Sequence, residues 1–184
     1  AGWHKYDPLN RATGTLDNTA EHLVVVFRGQ SVSAPEVALA RADVNASDGS
    51  YAGNYWEAAV TNMSFGFLCE THQPADLRIC FQSETSGNWW YHTLASPDVG
   101  TWAFYSIPMD FWDGWKTGSG VGAAAFKQDL RDITWVGLRI QRNSSTSEQS
   151  YAADDFLLTG TSRAVDSDDD GLSDWAEFLA GTDS

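Results

Sequence analysis

Ile133-Thr-Trp-Val-Gly-Leu-Arg-Ile-Gln141 alternates along its length. Val136, Leu138 and Ile140 share one face, and Trp135, Arg139 and Gln141 the other, which is the period-two pattern of a half-buried strand. Asp76-Leu-Arg-Ile-Cys-Phe-Gln82 repeats it, with Leu77, Ile79 and Phe81 inward and Arg78, Cys80 and Gln82 outward. Runs rich in β-branched and aromatic residues recur at 22–29, 36–44, 54–61, 63–69, 89–94, 102–108 and 151–160. Clusters of Gly, Ser, Asn, Asp and Pro separate them, as at 45–50, 83–88 and 142–150. No long amphipathic helix alternates with these runs, which argues against a parallel α/β sheet. The pattern predicts an all-β, two-sheet antiparallel sandwich. Its core takes in Val24, Val26, Phe65, Phe67, Phe156 and Leu158 beside the inward residues above, with Trp56 and Trp102 also assigned inside.

The outward residues carry the first functional hint. If 76–82 and 133–141 lie in one sheet, its outer face holds Arg78, Gln82, Arg139, Gln141 and Trp135. Planar donors of this kind grip sugar hydroxyls in pairs, and an aromatic ring stacks on the C–H face of a pyranose. An ordinary solvated face is the plain alternative. The nine tryptophans add to the hint. Asn88-Trp-Trp-Tyr-His92 sends rings to both faces of a strand, so Trp89, Trp90 and Tyr91 cannot all be core. Phe111-Trp-Asp-Gly-Trp115 precedes a glycine-rich stretch and reads as loop, which makes Trp112 and Trp115 stacking candidates beside Trp89 and Tyr91.

Composition bounds the rest. The 184 residues include 42% apolar side chains, enough for one sizeable core plus a tail, and the net charge is −14. Such a chain is a poor partner for nucleic acid or an anionic membrane. No apolar run approaches the ~20 residues of a membrane-spanning helix. No leader sequence is evident, and Ala1 reads as the start of a mature chain or of an excised piece. Cys69 and Cys80 fall on opposite faces by alternation, which argues against a disulfide. The four histidines show no zinc-ligand spacing with them. Asn45, Asn62 and Asn143 begin glycosylation sequons in form.

Asp166-Ser-Asp168-Asp-Asp170-Gly171-Leu172-Ser-Asp174-Trp-Ala-Glu177 is the sharpest motif. Carboxylates stand at positions 1, 3, 5, 9 and 12 of a twelve-residue loop with glycine at position 6, the spacing of a calcium site. Leu172 would give its backbone carbonyl and Glu177 both carboxylate oxygens. A short helix is predicted after it, with Trp175, Phe178 and Leu179 on one face and Gly181 at its stop. Residues 161–165 make a poor incoming helix. The stretch from Asp166 to Ser184 therefore resembles the thrombospondin type 3-like calcium repeats of secreted bacterial proteins, not a paired EF-hand. That resemblance implies calcium as the cofactor, an extracellular location and covalently linked neighbouring domains, with the chain as a piece of a longer protein. It divides the chain into a sandwich, 1–163, and a truncated repeat, 164–184. The repeat carries seven of the acidic residues and no basic one.

Tyr151-Ala-Ala-Asp-Asp155-Phe-Leu-Leu-Thr-Gly160 resembles the closing strand of galactose-binding-like jelly rolls, and Thr134-Trp-Val-Gly-Leu-Arg-Ile-Gln141 their penultimate strand. Many non-catalytic carbohydrate-binding modules belong to that group. The resemblance implies a jelly roll, a polysaccharide or oligosaccharide partner, and a second, structural calcium near Asp154 or Asp155, with Asp43, Asp48 and Glu21 as candidate co-ligands. Enzyme signatures are absent. Gly118-Ser-Gly-Val-Gly122 lacks the lysine and the strand–helix context of a phosphate loop, and there is no Gly-x-Ser-x-Gly elbow or His-Glu-x-x-His motif. Carboxylates are plentiful, so a small β-sandwich polysaccharide lyase or glycoside hydrolase stands as the rival reading. A structural or adhesive surface domain is the third.

Overall fold

The computed structural model describes residues 3–6, 15–17, 22–29, 36–45 and 49–160. Their strands are β1 (His4–Tyr6), β2 (Thr15–Asp17), β3 (Leu23–Phe27), β4 (Val37–Asp43), β5 (Val60–Cys69), β6 (Asp76–Ser83), β7 (Trp89–Thr93), β8 (Trp102–Pro108), β9 (Lys116–Thr117), β10 (Ile133–Gln141) and β11 (Gln149–Gly160). A short helix, α1 (Ala123–Asp129), lies between β9 and β10. One sheet runs β1-β4-β10-β6-β7-β9 and the other β2-β3-β11-β5-β8. Neighbouring strands pair antiparallel throughout. The all-β sandwich expected from alternation, and the jelly roll the resemblance implied, are the observed fold.

The core forms where the inner faces meet. Leu77, Ile79 and Phe81 of β6 and Val136, Leu138 and Ile140 of β10 are buried as their phase predicted, against Phe65 and Phe67 of β5. Phe65 stacks on Phe156 at 4.7 Å and Phe67 on Tyr151 at 5.9 Å. Burial of each such side chain is worth about 1.5–3 kcal/mol, so this seam dominates the stability. Phe156 and Leu158 are only partly buried.

In β3 the inward residues are Leu23, Val25 and Phe27, while Val24 and Val26 are half-buried on the other face. The predicted phase is inverted there, because every position of Leu-Val-Val-Val-Phe is apolar and the run carries no alternation to read. Pairing with β11 decides it, setting Val25 opposite Tyr151. Residues 54–59 are turn instead of strand. Asn54 accepts from the Glu57 and Ala58 amides, at 2.8 and 3.0 Å, before Val60 opens the long β5. Trp56 and Trp102 are not core. Trp56 lies under the Arg131 guanidinium at 4.8 Å. Trp102 is 37% exposed because its neighbour Ala103, opposite Phe67, takes the inward position.

Helix α1 has no counterpart in the sequence reading, being too short to show a period. Its Phe126 completes the core against Trp90 at 5.0 Å and Phe81 at 5.6 Å. Cys69 lies between the sheets and Cys80 on the far side of the six-stranded sheet, both as free thiols. The calcium-loop residues Asp166, Asp168, Asp170, Leu172, Asp174 and Glu177, together with Trp175, Glu21 and Asp48, lie outside the described residues. So does the 163/164 boundary.

Candidate functional site

The outer face of the six-stranded sheet gathers polar and aromatic side chains in rows across the strands. One row reads Arg41, Gly137, Cys80, Tyr91, Lys116 from β4 to β9. The next reads Leu39, Arg139, Arg78, Thr93, and a third Asp43, Trp135, Gln82, Trp89. Gly137 makes the middle of this face low. A Cβ there would stand 2.8 Å from Leu39 Cδ1 and 3.0 Å from the Ala40 carbonyl oxygen. Trp135 lies down beside it, buried with Leu39 and Cys80 and flanked by Tyr91.

The result is a cleft of about 280 Å³ lined by Arg78, Cys80, Trp89, Tyr91, Gly118 and Arg139. Its two arginines are positioned by one carboxylate. Arg78 Nε donates to Asp76 at 3.0 and 2.8 Å, and Arg139 Nη1 donates to the same group. Asp76 thus engages one edge of each guanidinium and leaves the remaining N–H groups for a ligand. The Arg78 guanidinium lies 4.5 Å from the centroid of the Tyr91 ring, which holds it flat. Trp89, 38% exposed, stands edge-on to Trp135 at 5.2 Å. Burial pushes the Cys80 thiol up to about 12, which leaves it protonated and inert at neutral pH.

Four of the residues expected from sequence therefore meet: Arg78, Arg139, Trp89 and Tyr91. Four do not. Gln82 accepts from Trp135 Nε1 at 2.7 Å and donates to the Gly87 carbonyl at 3.1 Å, so it braces the indole and is not a free grip. Gln141 sits at the sheet margin opposite Asp76 and Val37, outside the cleft lining. Trp112, 81% exposed, projects from a turn after β8 and is not part of the lining either. Trp115 is 2% exposed, donates to the Pro108 carbonyl at 2.8 Å and packs on Phe81, so it offers no face for stacking. Its ring lies inside the core against Phe126 of α1, at 5.7 Å.

Asp154 and Asp155 lie on the other sheet, beside Gly66, Trp102 and Phe104. Asp154 accepts from the Asp155 amide at 2.8 Å, and Asp155 has φ 54° at a bulge in β11. Asp43 is not beside them. It belongs to the six-stranded sheet, bound to His4 and Arg41. Among the described residues no group of three or more His, Cys, Asp or Glu side chains converges as a metal site would.

Asp76, Lys116 and Gly118 belong to the site or its rim and are not among the site residues the sequence suggests. Asp76 was legible, since it precedes Arg78 by two positions and must share its face. Lys116 and Gly118 were not, because β9 is two residues long.

No family profile and no curated protein sequence matches the chain. Its fold does match solved structures. The family 11 carbohydrate-binding module of the cellulosomal cellulase Lic26A-Cel5E of Clostridium thermocellum superposes with TM-score 0.53 at 13% identity, covering 88% of this chain and 89% of that one. PfGH50B gives 0.58 at 13% identity over 86% of this chain, and an exo-β-agarase 0.55 at 11% over 88%. This chain spans only 22% and 24% of those two. At such identities the likeness establishes the fold.

Proposed function

We propose that the chain is a non-catalytic carbohydrate-binding module, carried by a secreted multidomain protein and directing an appended enzyme to a polysaccharide. The carrying observation is the convergence of Arg78, Arg139, Trp89 and Tyr91 on one cleft of the six-stranded sheet. Free guanidinium edges suit vicinal hydroxyls, and the exposed rings suit a sugar's C–H face. Each net hydrogen bond contributes about 0.5–1.5 kcal/mol, so several together reach micromolar to millimolar affinity. The whole-length likeness to a family 11 carbohydrate-binding module supports the reading. The glycoside hydrolase form of the rival reading needs two carboxylates flanking a scissile bond, whereas a lyase does not. Among the described residues the cleft lining has none, and Asp76 behind it is committed to two arginines.

Affinity electrophoresis against soluble polysaccharides tests the module. Arg78→Ala and Arg139→Ala should each lose retention on the polymer that retards the parent, with melting shifted by only a few degrees. Variants that bind like the parent would make this face plain solvated surface. New reducing or unsaturated chain ends would favour the enzyme.

Calcium at Asp166, Asp168, Asp170, Leu172, Asp174 and Glu177 belongs to the same proposal and rests on the spacing of those residues. Calorimetry should register calcium binding, and chelation should expose 164–184 to protease while the sandwich persists. Absence of both effects would remove calcium from the reading.

A further inference from the structure

The charge around the cleft differs in sign from that of the chain. Strand register puts Arg41, Arg78, Arg139 and Lys116 on this face with only Asp43 and Asp76 as carboxylates among the described residues of its strands. Arg41 is matched by Asp43 at 3.4 Å. Of the other three cations, Arg78 and Arg139 share Asp76 between them. Among the described residues of its strands, this face of a chain of net charge −14 therefore carries an excess of two positive charges. Solvation alone does not call for this. An acidic surface neutralises stray arginines with abundant carboxylates, and here one carboxylate aligns two guanidiniums side by side.

The orientation is specific too. Asp76 takes Arg78 through Nε, which leaves the outer edge between Nη1 and Nη2 uncommitted to it while the guanidinium rests on Tyr91 at 4.5 Å. A guanidinium fixed in its plane with both terminal nitrogens free presents the fork that two anionic oxygens accept. Trp89 supplies an exposed ring in the same cleft. Resting on the carbohydrate-binding reading, we infer that the ligand is an acidic glycan whose carboxylate or sulfate oxygens lie against Arg78 and Arg139, with Lys116 as a third contact. The negative remainder of the chain repels a polyanion at long range, so selectivity comes from these short contacts. Simple attraction to bulk charge is weak.

The test is calorimetry or affinity electrophoresis on the full chain at matched ionic strength. Neutral probes are mixed-linked β-1,3-1,4-glucan and agarose. Polygalacturonate and alginate carry carboxylates, and carrageenan carries sulfate esters. At least one anionic polymer should bind about tenfold tighter than either neutral one, the arm that responds telling carboxylate from sulfate. Raising sodium chloride from about 0.1 M to about 0.5 M shortens the screening length about twofold and should weaken the anionic complex more than any neutral one. Lys116→Gln should weaken anionic binding severalfold. Equal or tighter binding of a neutral glycan, or anionic binding no more sensitive to salt than neutral binding, would overturn the acidic-glycan inference while leaving a carbohydrate-binding module. Failure of every polymer to bind would overturn the module reading itself, and the inference with it.

Discussion

Gly137 shows how a single position shapes the candidate site. Its missing side chain keeps the sheet face low and lets Trp135 lie beside Leu39. Gly137→Val forces heavy atoms against Leu39 and the Ala40 backbone and should cost about 1–3 kcal/mol, read as a lower urea midpoint. An unchanged midpoint would mean that the face is more yielding than its contacts imply. Asp129 is the second telling residue. Buried at 3% exposure, it accepts from Trp90 Nε1 at 2.7 Å and from Asn88 Nδ2 at 2.8 Å. Asp129→Ala leaves a buried indole N–H without its acceptor and should destabilise by about 1–3 kcal/mol. Asp129→Asn keeps an acceptor oxygen and should recover most of that loss. Equal losses in the two variants would argue against the indole bond as the cause.

At the level of elements, the segment joining β10 to β11 is tied down by one side chain. Arg142, 2% exposed, donates to Glu36 Oε2, to the Arg28 carbonyl and to the Ser145 and Ser147 carbonyls. It thereby links the exit of β3, the entry to β4 and the hairpin before β11. Removing one partner of a buried ion pair typically costs about 3–5 kcal/mol, so Arg142→Met should be among the most damaging substitutions. Hydrogen exchange should rise first at 142–150 and at the β3–β11 pairing. Unchanged protection there would show that the strands hold each other without the strap. From its residues alone 142–150 reads only as a loop, since nothing local marks one arginine of that loop as buried.

Across the whole molecule the buried weak acids point one way. Burial pushes Cys69 up to about 11, Cys80 and Tyr105 up to about 12, and Tyr55 and Tyr151 above the usual tyrosine range. In each case the folded state favours the neutral form, and the unfolded chain ionises first as pH rises. The stabilisation is complete below the unfolded values, about 9 for the thiols and 10 for the phenols. It is lost progressively as pH climbs from there through the folded values. The urea midpoint should hold to about pH 8.5 and fall steadily between about pH 9 and 12. A midpoint at pH 11 equal to that at pH 7.5 would contradict this.

The sandwich was written into local sequence wherever a strand alternates. The facing pair 76–82 and 133–141 carried fold, phase and half of the candidate site together. Side chains two residues apart on a strand must share a face, so the outward phase of Arg78 and of Arg139 is legible on each strand, while pairing with β7 is what brings Trp89 and Tyr91 to them. Where alternation fails, sequence alone is silent. The all-apolar β3 took its phase from β11, residues 54–59 turned on an asparagine cap, and the two-residue β9 exists only as a partner of β7. Tertiary structure alone decided that Trp115 is core, that Gln82 is a brace, and that Asp76 joins two arginines. A side chain's direction along one strand follows from backbone geometry. Its neighbours across strands and its distance from solvent depend on pairing register and on what packs above it, and no local stretch of sequence contains that information.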